Sequence, residues 1–472
     1  MEARCDLGGN RDACSPTDRQ SCAVHKVEQR FDLLDLHRLD PERYPHLLQS
    51  SAHGRFDILF AFPEENLTLN ARGTLTGPDR VEPESGDFLE SLDRWCLELH
   101  SAASEQDSLP FTGGWFVYLG YELAGQIEPC LRLPGAGGEL PVAIATRCAS
   151  AVIHDHQQDS TYIVTEAACA DRIGRISRDI AAVPRPDEAA GPGALNGVIS
   201  EAAADAYLDA VNRIHDYIRE GDVFQVNLSR PWDVAAPGGV DVPALYARLR
   251  HHNPAPFAGI ARWDNAAIIS SSPERLVRVR GRTAETRPIA GTRPRSHSRA
   301  ADTAYSEELM AHPKERAEHI MLIDLERNDL GRISVPGTVQ VDEFMILESY
   351  AHVHHIVSNV RAELRPEVTP GQVIAAVFPG GTITGCPKVR CMEIIAELEG
   401  EAREAYTGSM GYINRDGSMD LNILIRSMIV TGNRIRLRAG AGIVADSVPE
   451  AELEETRAKA LGLLRALGVE AA

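Results

Sequence analysis

The sequence lacks long apolar runs and paired cysteine motifs. No apolar run approaches the ~20 residues that a membrane helix needs, and residues 1–20 contain no apolar signal core. The 9 cysteines include no Cys-x-x-Cys pair, which argues against a zinc cage or a dithiol redox motif. We therefore expect a cytoplasmic protein whose cysteines are free thiols.

Basic residues are too few for a nucleic-acid partner. The chain has 48 Lys and Arg against 68 Asp and Glu, a formal net charge of -20. Nucleic acids and anionic membranes select basic surfaces, so we expect neither as a partner. A small anionic substrate is compatible with this charge if a few cations are concentrated in one cleft.

No segment repeats at a fixed period, which argues against a solenoid or a propeller. A segment rich in proline, glycine and charge predicts a linker over residues 184–198, between an N-terminal region (26–183) and a C-terminal region (199–472). Residues 1–25 are expected to be disordered. After the linker, Ser200 is predicted to cap a helix with Tyr207, Val211 and Ile214 at helical spacing.

A loop rich in glycine and hydroxyl groups covers residues 378–390 and leads into a helical pattern. Glycine lets backbone N–H groups approach a ligand, and a helix N-terminus favours negative charge. Thr384, Lys388 and Arg390 add donors or positive charge. The loop therefore predicts an anion site, with a tight strand-to-helix turn as the alternative.

This loop resembles a signature of the chorismate-utilising enzymes, which include component I of anthranilate synthase and of aminodeoxychorismate synthase, isochorismate synthase and salicylate synthase. Other matching segments follow in the family's order, at residues 221–228, 272–275, 286–293, 317–329, 354–358, 406–412, 425–427, 439–447 and 452–456. The resemblance implies an α+β fold of two stacked, largely antiparallel β-sheets flanked by helices. The N- and C-terminal segments would be interwoven into one body, with a chorismate-binding catalytic region over 199–472.

Two Glu-x-x-Glu pairs predict a metal site. Glu315 and Glu318 lie in a helical pattern, Glu452 and Glu455 lie in the last long helix, and residues three apart share a helix face. Oxygen-only sites suit Mg²⁺, although a solvated charged face is the alternative in an acidic protein. The resemblance implies Glu318 and Glu455 as direct Mg²⁺ ligands, and Glu315 and Glu452 as outer, water-mediated ones.

The resemblance also implies the groups that bind and convert chorismate. The implied substrate contacts are Gly291, Thr292, Tyr406, Arg426, Gly440, Ala441, Gly442 and Lys459. Glu274 matches the general acid that protonates the departing C4 hydroxyl, and His355 and Thr384 join it as catalytic residues. Gln225 stands where the water-using relatives carry a lysine base. An amide cannot take a proton from water, so ammonia is the expected nucleophile.

The motifs disagree about which ammonia user the chain resembles. Ala290 matches anthranilate synthases, whereas many aminodeoxychorismate synthases carry a lysine there that is proposed to attack ring carbon 2. Residues 378–385, 409–412, 221–225 and 441–447 resemble the aminodeoxychorismate branch more. So do residues 47–58, where that branch binds tryptophan, which implies a tryptophan site at Ser50, Phe56 and Pro256.

We therefore predict an aminodeoxychorismate synthase component I, which aminates chorismate at C4 to 4-amino-4-deoxychorismate on the way to 4-aminobenzoate and folate. Anthranilate synthase component I is the alternative. The chain has no Gly-x-Cys-x-Gly glutaminase motif, so glutamine-derived ammonia implies a separate amidotransferase subunit. A non-catalytic protein that binds chorismate or tryptophan for regulation is the alternative of another class. The retained acid, metal-ligand and clamp residues argue against it.

Overall fold

The computed structural model describes residues 22–51, 54–81, 86–102, 108–183, 197–296, 298–349 and 353–468. Its strands are β1 (Cys22–Val27), β2 (His46–Gln49), β3 (Phe56–Leu69), β4 (Leu75–Thr76), β5 (Gly114–Leu119), β6 (Ala143–Asp155), β7 (Ser160–Glu166), β8 (Val198–Glu201), β9 (Gln225–Ala235), β10 (Phe257–Trp263), β11 (Ala266–Ser272), β12 (Arg275–Arg280), β13 (Thr283–Thr286), β14 (Ile289–Pro294), β15 (Gln340–Ser349), β16 (Val353–Glu363), β17 (Gly385–Cys386), β18 (Ser409–Asn414), β19 (Met419–Asn422), β20 (Ser427–Thr431) and β21 (Arg434–Ile443). Its α-helices are α1 (Leu33–Leu39), α2 (Phe88–Glu98), α3 (Ala124–Ile127), α4 (Arg172–Ala182), α5 (Ala204–Glu220), α6 (Val242–His252), α7 (Arg299–Ala311), α8 (Pro313–Gly331), α9 (Pro370–Val377), α10 (Lys388–Glu399) and α11 (Pro449–Leu467).

The strands form two antiparallel sheets that share the long strands β3 and β6. One edge of β6 pairs with β3, and its other edge pairs first with β5 and then with β7. From β5 the first sheet continues through β18, β19, β12 and β13 to β16 and β15. From β3 the second sheet continues through β2, β10, β11, β20 and β21 to β9. The N- and C-terminal halves are therefore interwoven.

Aromatic side chains fill the space between the two sheets. His46 of β2 stacks on Phe116 of β5 with ring centroids 4.1 Å apart, and Phe60 of β3 meets Phe116 at 5.2 Å. Fully burying a large apolar side chain of this kind stabilises the fold by roughly 1.5–3 kcal/mol. Helices cover the outer faces: α2, α8 and α9 pack on the first sheet, and α1, α4, α6 and α11 pack on the second. The predicted α+β fold of two stacked sheets flanked by helices is confirmed.

The structure corrects two local predictions near the region boundaries. Disorder was predicted through residue 25, but Cys22 already begins β1, because this segment pairs with β7. Ser200 does not cap a helix: it lies in β8 opposite Asp233, and α5 starts at Ala204 after an N-cap at Ala203. Residues 184–196 of the predicted linker, and residues 1–21, lie outside the described residues. Within the described chain, no helix is long and apolar enough to cross a membrane.

Candidate active site

Two glycines of β21 make room for polar side chains on β9. A Cβ atom at Gly442 would lie 2.4 Å from Gln225 Nε2, and one at Gly440 would lie 2.8 Å from Tyr406 Oη and 2.9 Å from Asn227 Oδ1. Any side chain at either glycine would therefore displace these groups. Ala441, between them, packs instead in the apolar cluster beneath α5 and α10. The glycines create a polar recess where β9 and β21 pair.

Two cations adjoin this recess. Lys459 of α11 donates to the Gly440 carbonyl at 3.0 Å and forms an ion pair with Glu455 at 2.7 Å. Arg426 is partly buried, and none of the described carboxylates forms an ion pair with it. Burial lowers the pKa of Arg426, while the nearby Tyr406 and Glu455 act in the opposite direction. A desolvated guanidinium without a partner suits a carboxylate ligand, which it can bind bidentately.

The backbone at Arg426 lies between two strands, β19 and β20. β19 ends at Asn422, β20 begins at Ser427, and Arg426 between them has a φ of 52°. This left-handed conformation breaks the strand. Because Arg426 lies outside both strands, the alternation of side chains along a strand does not predict which face its side chain occupies.

Glu274 is buried between β11 and β12, where it keeps its proton at neutral pH. Burial, with a smaller contribution from the charge of Glu326, raises the pKa of its carboxyl to about 8. Interactions with the Thr382 hydroxyl, the Ile289 N–H and Lys459 lower the pKa but do not reverse the shift. A carboxyl group in this state can donate a proton near neutrality, as a general acid must.

Glu326 was missed by the sequence analysis. It is buried on α8, where burial and then the charge of Asp329 raise its pKa to about 7. A signal was present: Glu326 follows the buried residues His319, Leu322 and Ile323 at helical spacing, so a carboxyl group lies on a stripe that packs inwards. Among the charged groups near Glu274, Glu326 has the largest effect on its pKa, and it raises that pKa.

The glycine-rich loop does not present free cations to a ligand. Lys388 forms an ion pair with Asp329 at 2.5 Å, and Arg390 binds Asp222 at 2.7 Å. Neighbouring elements supply both carboxylates, and the role of the two cations as donors to a bound anion stays a prediction. Thr384 is fully buried and donates its hydroxyl to the Gly380 carbonyl at 3.0 Å. Its catalytic role stays a prediction.

His355 lies beside Gly291 on the paired strands β16 and β14. Burial lowers the pKa of His355 to about 4, so the ring is neutral and its Nδ1–H donates to the Gly291 carbonyl at 3.2 Å. A Cβ atom at Gly291, which has a φ of 62°, would lie 2.9 Å from Glu315 Oε2. The backbone of Thr292 pairs with His355, whereas its side chain lies outside the described residues.

The four predicted metal ligands lie on α8 and α11. Glu315 forms an ion pair with Arg293 at 3.1 Å, and Glu455 forms one with Lys459; Glu452 is buried and Glu318 is half-buried. Over the described ranges, no group of three or more His, Cys, Asp or Glu side chains is placed to hold a metal ion. Carboxylates are the ligands that Mg²⁺ selects, so the residue types fit the ion although the four do not form one cluster.

The three residues predicted for tryptophan line one large cavity. Ser50, Phe56 and Pro256 border a space of about 1120 Å³ between the N-terminal strands and β12, β18 and β19. Asp57 accepts a hydrogen bond from the Ser50 N–H at 2.8 Å, which fixes the backbone at this wall. Pro273, next to Glu274, also lines the cavity, so its far wall adjoins the candidate active site.

Comparisons with known proteins identify the family of the chain. The chain matches the chorismate binding enzyme family over residues 44–465. It is 40% identical over 436 residues to an anthranilate synthase component I-like protein of Synechocystis sp., covering 90% of this chain and 84% of that protein. It is 37% identical over 447 residues to aminodeoxychorismate synthase component 1 of Bacillus subtilis, covering 92% of this chain and 94% of that protein. The crystal structure of anthranilate synthase component I from Streptococcus pneumoniae, 29% identical, superposes with a TM-score of 0.76 and covers 98% of this chain and 100% of that one. The chain therefore belongs to the chorismate-binding enzyme family, and it is a chorismate-utilising enzyme.

Proposed function

We propose that this enzyme is component I of an aminodeoxychorismate synthase, which aminates chorismate at C4 to give 4-amino-4-deoxychorismate. The observation that carries the use of ammonia is the amide of Gln225 beside Gly442, at the position where water-using relatives need a base. An amide cannot deprotonate water, whereas ammonia is nucleophilic without deprotonation. The motifs at residues 378–385 and 47–58 support this branch, as does the Bacillus subtilis relative, which the chain matches over 94% of its length.

Substrate binding is assigned to the cations at the glycine recess. Arg426 has no carboxylate partner among the described residues, and it would bind one substrate carboxylate through its planar fork. Lys459 and the hydroxyl of Tyr406 would complete the clamp from the Gly440 side. The substrate is thereby oriented against β9 and β21.

Glu274 then acts as the general acid. Its proton passes to the C4 hydroxyl, the C4–O bond breaks, and the oxygen leaves as water while ammonia forms the new C–N bond. The proton released from the resulting ammonium group restores the Glu274 carboxyl. Ala290 has no nucleophile, so no covalent bond to the enzyme forms. Ammonia replaces the hydroxyl directly, or a first ammonia bonds ring carbon 2 as the C4 hydroxyl leaves and is itself expelled when a second ammonia bonds C4.

Mg²⁺ is part of the proposal. Glu318 and Glu455 would hold the ion directly, with Glu315 and Glu452 behind them. The bound ion would supply positive charge that offsets the repulsion between a substrate carboxylate and these glutamates.

A partner subunit and a bound amino acid are also proposed. A separate glutamine amidotransferase subunit would deliver the ammonia, because the three relatives described above are named as component I or component I-like proteins. Tryptophan would occupy the cavity lined by Ser50, Phe56 and Pro256, whose volume of about 1120 Å³ is ample for an amino acid.

The experiment that tests this function is chromatography of the products made from chorismate, Mg²⁺ and ammonium. We expect 4-amino-4-deoxychorismate with its enolpyruvyl group retained, and 4-aminobenzoate only after an aminodeoxychorismate lyase is added. Accumulation of fluorescent anthranilate without a lyase would assign the chain to the anthranilate branch, which Ala290 favours. No consumption of chorismate would favour a non-catalytic binding protein.

A further inference from the structure

Arg403, in the loop between α10 and β18, uses every N–H of its guanidinium group. Nε and one terminal nitrogen donate to the two carboxylate oxygens of Glu399 at 3.0 and 2.6 Å. The other three N–H groups donate to the Asn227 carbonyl at 2.7 Å, the Ile383 carbonyl at 3.1 Å and the Thr407 hydroxyl at 3.3 Å. An arginine side chain has five N–H donors, so all of them are occupied.

Three of the acceptors belong to different walls of the candidate active site. Asn227 lies in β9, which pairs with β21. Ile383 lies in the glycine-rich loop, next to Thr384. Thr407 follows Tyr406 and donates its hydroxyl to the Tyr406 carbonyl at 2.5 Å. One guanidinium group therefore fixes β9, the glycine-rich loop and Tyr406 relative to one another.

The guanidinium group is itself held in place. Its carbon lies 5.0 Å from the ring centroid of Tyr121 and 5.6 Å from that of Tyr406. The backbone N–H of Arg403 donates to the Glu122 carboxylate at 2.8 Å. The side chain is buried, and Glu399 balances its charge. With its N–H groups all bonded to protein, Arg403 has none left to donate to a substrate.

We propose that Arg403 is a positioning residue of the active site, which sets the location of Tyr406 relative to β9 and the glycine-rich loop. The inference rests on the proposed function, in which the Tyr406 hydroxyl contributes to the chorismate clamp. Arg403 acts through the groups that it holds, because it does not contact the substrate. A displacement of about 1 Å in a group that orients the substrate can lower the rate about 10²-fold.

Replacing Arg403 by lysine tests this role. Lysine keeps the positive charge beside Glu399, but it has three donors on one nitrogen and no planar fork, so it cannot reach all the acceptors. The assay measures initial rates of chorismate consumption with the purified chain, Mg²⁺ and ammonium chloride at one fixed pH. We expect Arg403→Lys to lower kcat/KM for chorismate about 10²-fold in a protein that still shows a cooperative thermal transition.

A double-mutant cycle with Tyr406→Phe separates positioning from general destabilisation. In the wild-type background, loss of the Tyr406 hydroxyl should lower kcat/KM about tenfold, the effect of one hydrogen bond to a charged group. In the Arg403→Lys background the same loss should cost less than about twofold, because the hydroxyl is already displaced from the clamp. A merely structural role for Arg403 predicts additive effects instead.

Arg147 provides the matched control. It is also a buried arginine, and it donates to the Gly114 and Cys148 carbonyls at 3.0 and 2.9 Å and forms an ion pair with Glu166 at 2.5 Å. Arg147→Lys should lower the melting temperature, as Arg403→Lys does. It should change kcat/KM less than about twofold, and its effect should be additive with that of Tyr406→Phe.

Thr407→Val is a milder second variant for the case in which Arg403→Lys does not fold. It removes only the hydroxyl that accepts from Arg403 and donates to the Tyr406 carbonyl, at nearly the same side-chain volume. Its effect on kcat/KM should likewise be non-additive with that of Tyr406→Phe.

The outcomes separate the positioning role from the proposed function. Unchanged kcat/KM in Arg403→Lys, or effects additive with Tyr406→Phe, would overturn the positioning role and leave the function intact. Wild-type rates in Tyr406→Phe would also overturn it, because Tyr406 would then lie outside the clamp. Formation of anthranilate would contradict the proposed function alone, since both products are made from chorismate. A wild-type chain that consumes no chorismate would overturn both.

Discussion

Replacing Glu326 by glutamine should move the alkaline limit of activity to lower pH. The substitution removes a buried negative charge while nearly conserving side-chain volume. Burial is the main cause of the high pKa of Glu274, and the charge of Glu326 adds to it. The substitution therefore changes the pKa of Glu274, the proposed general acid, while Glu274 itself is unchanged.

The expected size follows from the burial of both groups. Glu274 has a pKa of about 8 and Glu326 one of about 7, so in the alkaline range Glu326 is charged while Glu274 still carries its proton. A like charge close to a buried carboxyl typically raises its pKa by about 1 unit or more. We expect Glu326→Gln to lower the pKa of Glu274 by about 1 unit, or ~1.4 kcal/mol. Burial alone still keeps that pKa above its ordinary value.

The sign follows from the role of Glu274. A general acid is active when protonated, so activity is present below its pKa and is lost as pH rises through it. In the Glu326→Gln variant this loss of activity should begin at a pH about 1 unit lower than in the wild-type protein. Activity at lower pH should change little, because Glu274 is protonated there in both proteins.

The assay is kcat for chorismate amination across the neutral and alkaline range. Rates are compared at equal concentrations of neutral ammonia, because the ammonia fraction itself changes with pH. Asp324→Asn on the same helix is the control, since Asp324 is exposed and, among the described residues, forms an ion pair only with Arg327. An alkaline limit that stays in place in a folded Glu326→Gln protein would refute the electrostatic link between the two glutamates.

Three further substitutions test other parts of the site. Glu274→Gln should lower kcat by about 10²–10⁴-fold with little change in the KM for chorismate, as expected for a group that acts on the leaving group; an effect confined to KM would make Glu274 a binding residue. Glu318→Gln should nearly abolish turnover in a protein with a normal melting temperature, and full activity at limiting Mg²⁺ would place the metal elsewhere. Arg403→Met should lower the free energy of unfolding in urea by about 1.5–3 kcal/mol, because the buried Glu399 carboxylate loses the guanidinium 2.6 Å away but keeps Arg438 at 2.8 Å; a wild-type midpoint would show that this ion pair contributes little.

Local motifs were sufficient to predict some candidate site residues but not the partners of others. Glu274 and Gln225 lie in short segments whose matches to the family are contiguous, so their numbers could be read directly from the sequence. The partners of Lys388 and Arg390 could not, because Asp329 and Asp222 come from separate elements that only the folded chain brings near. Long-range ion pairs of this kind leave no periodic signal.

Backbone conformation was the other source of error. The left-handed φ of Arg426 has no marker in residue type, since arginine rarely adopts it. Ser200 is a good helix cap by propensity, but pairing with β9 places it in a strand, and tertiary contacts outweigh local preference. Glu326, in contrast, could have been found by asking why a carboxyl group lies on an inward-facing helical stripe.

The interwoven sheets bear on how this chain is made by the ribosome. β2 pairs with β10, which lies near the middle of the sequence. β5 pairs with β18, which lies in the last part of the chain to be synthesised. During translation both strands therefore expose unpaired backbone edges, which attract other strands and favour aggregation. A nascent chain that stops before β18 has an incomplete first sheet. Efficient production of this enzyme should thus depend on chaperones that cover these edges until the C-terminal strands emerge.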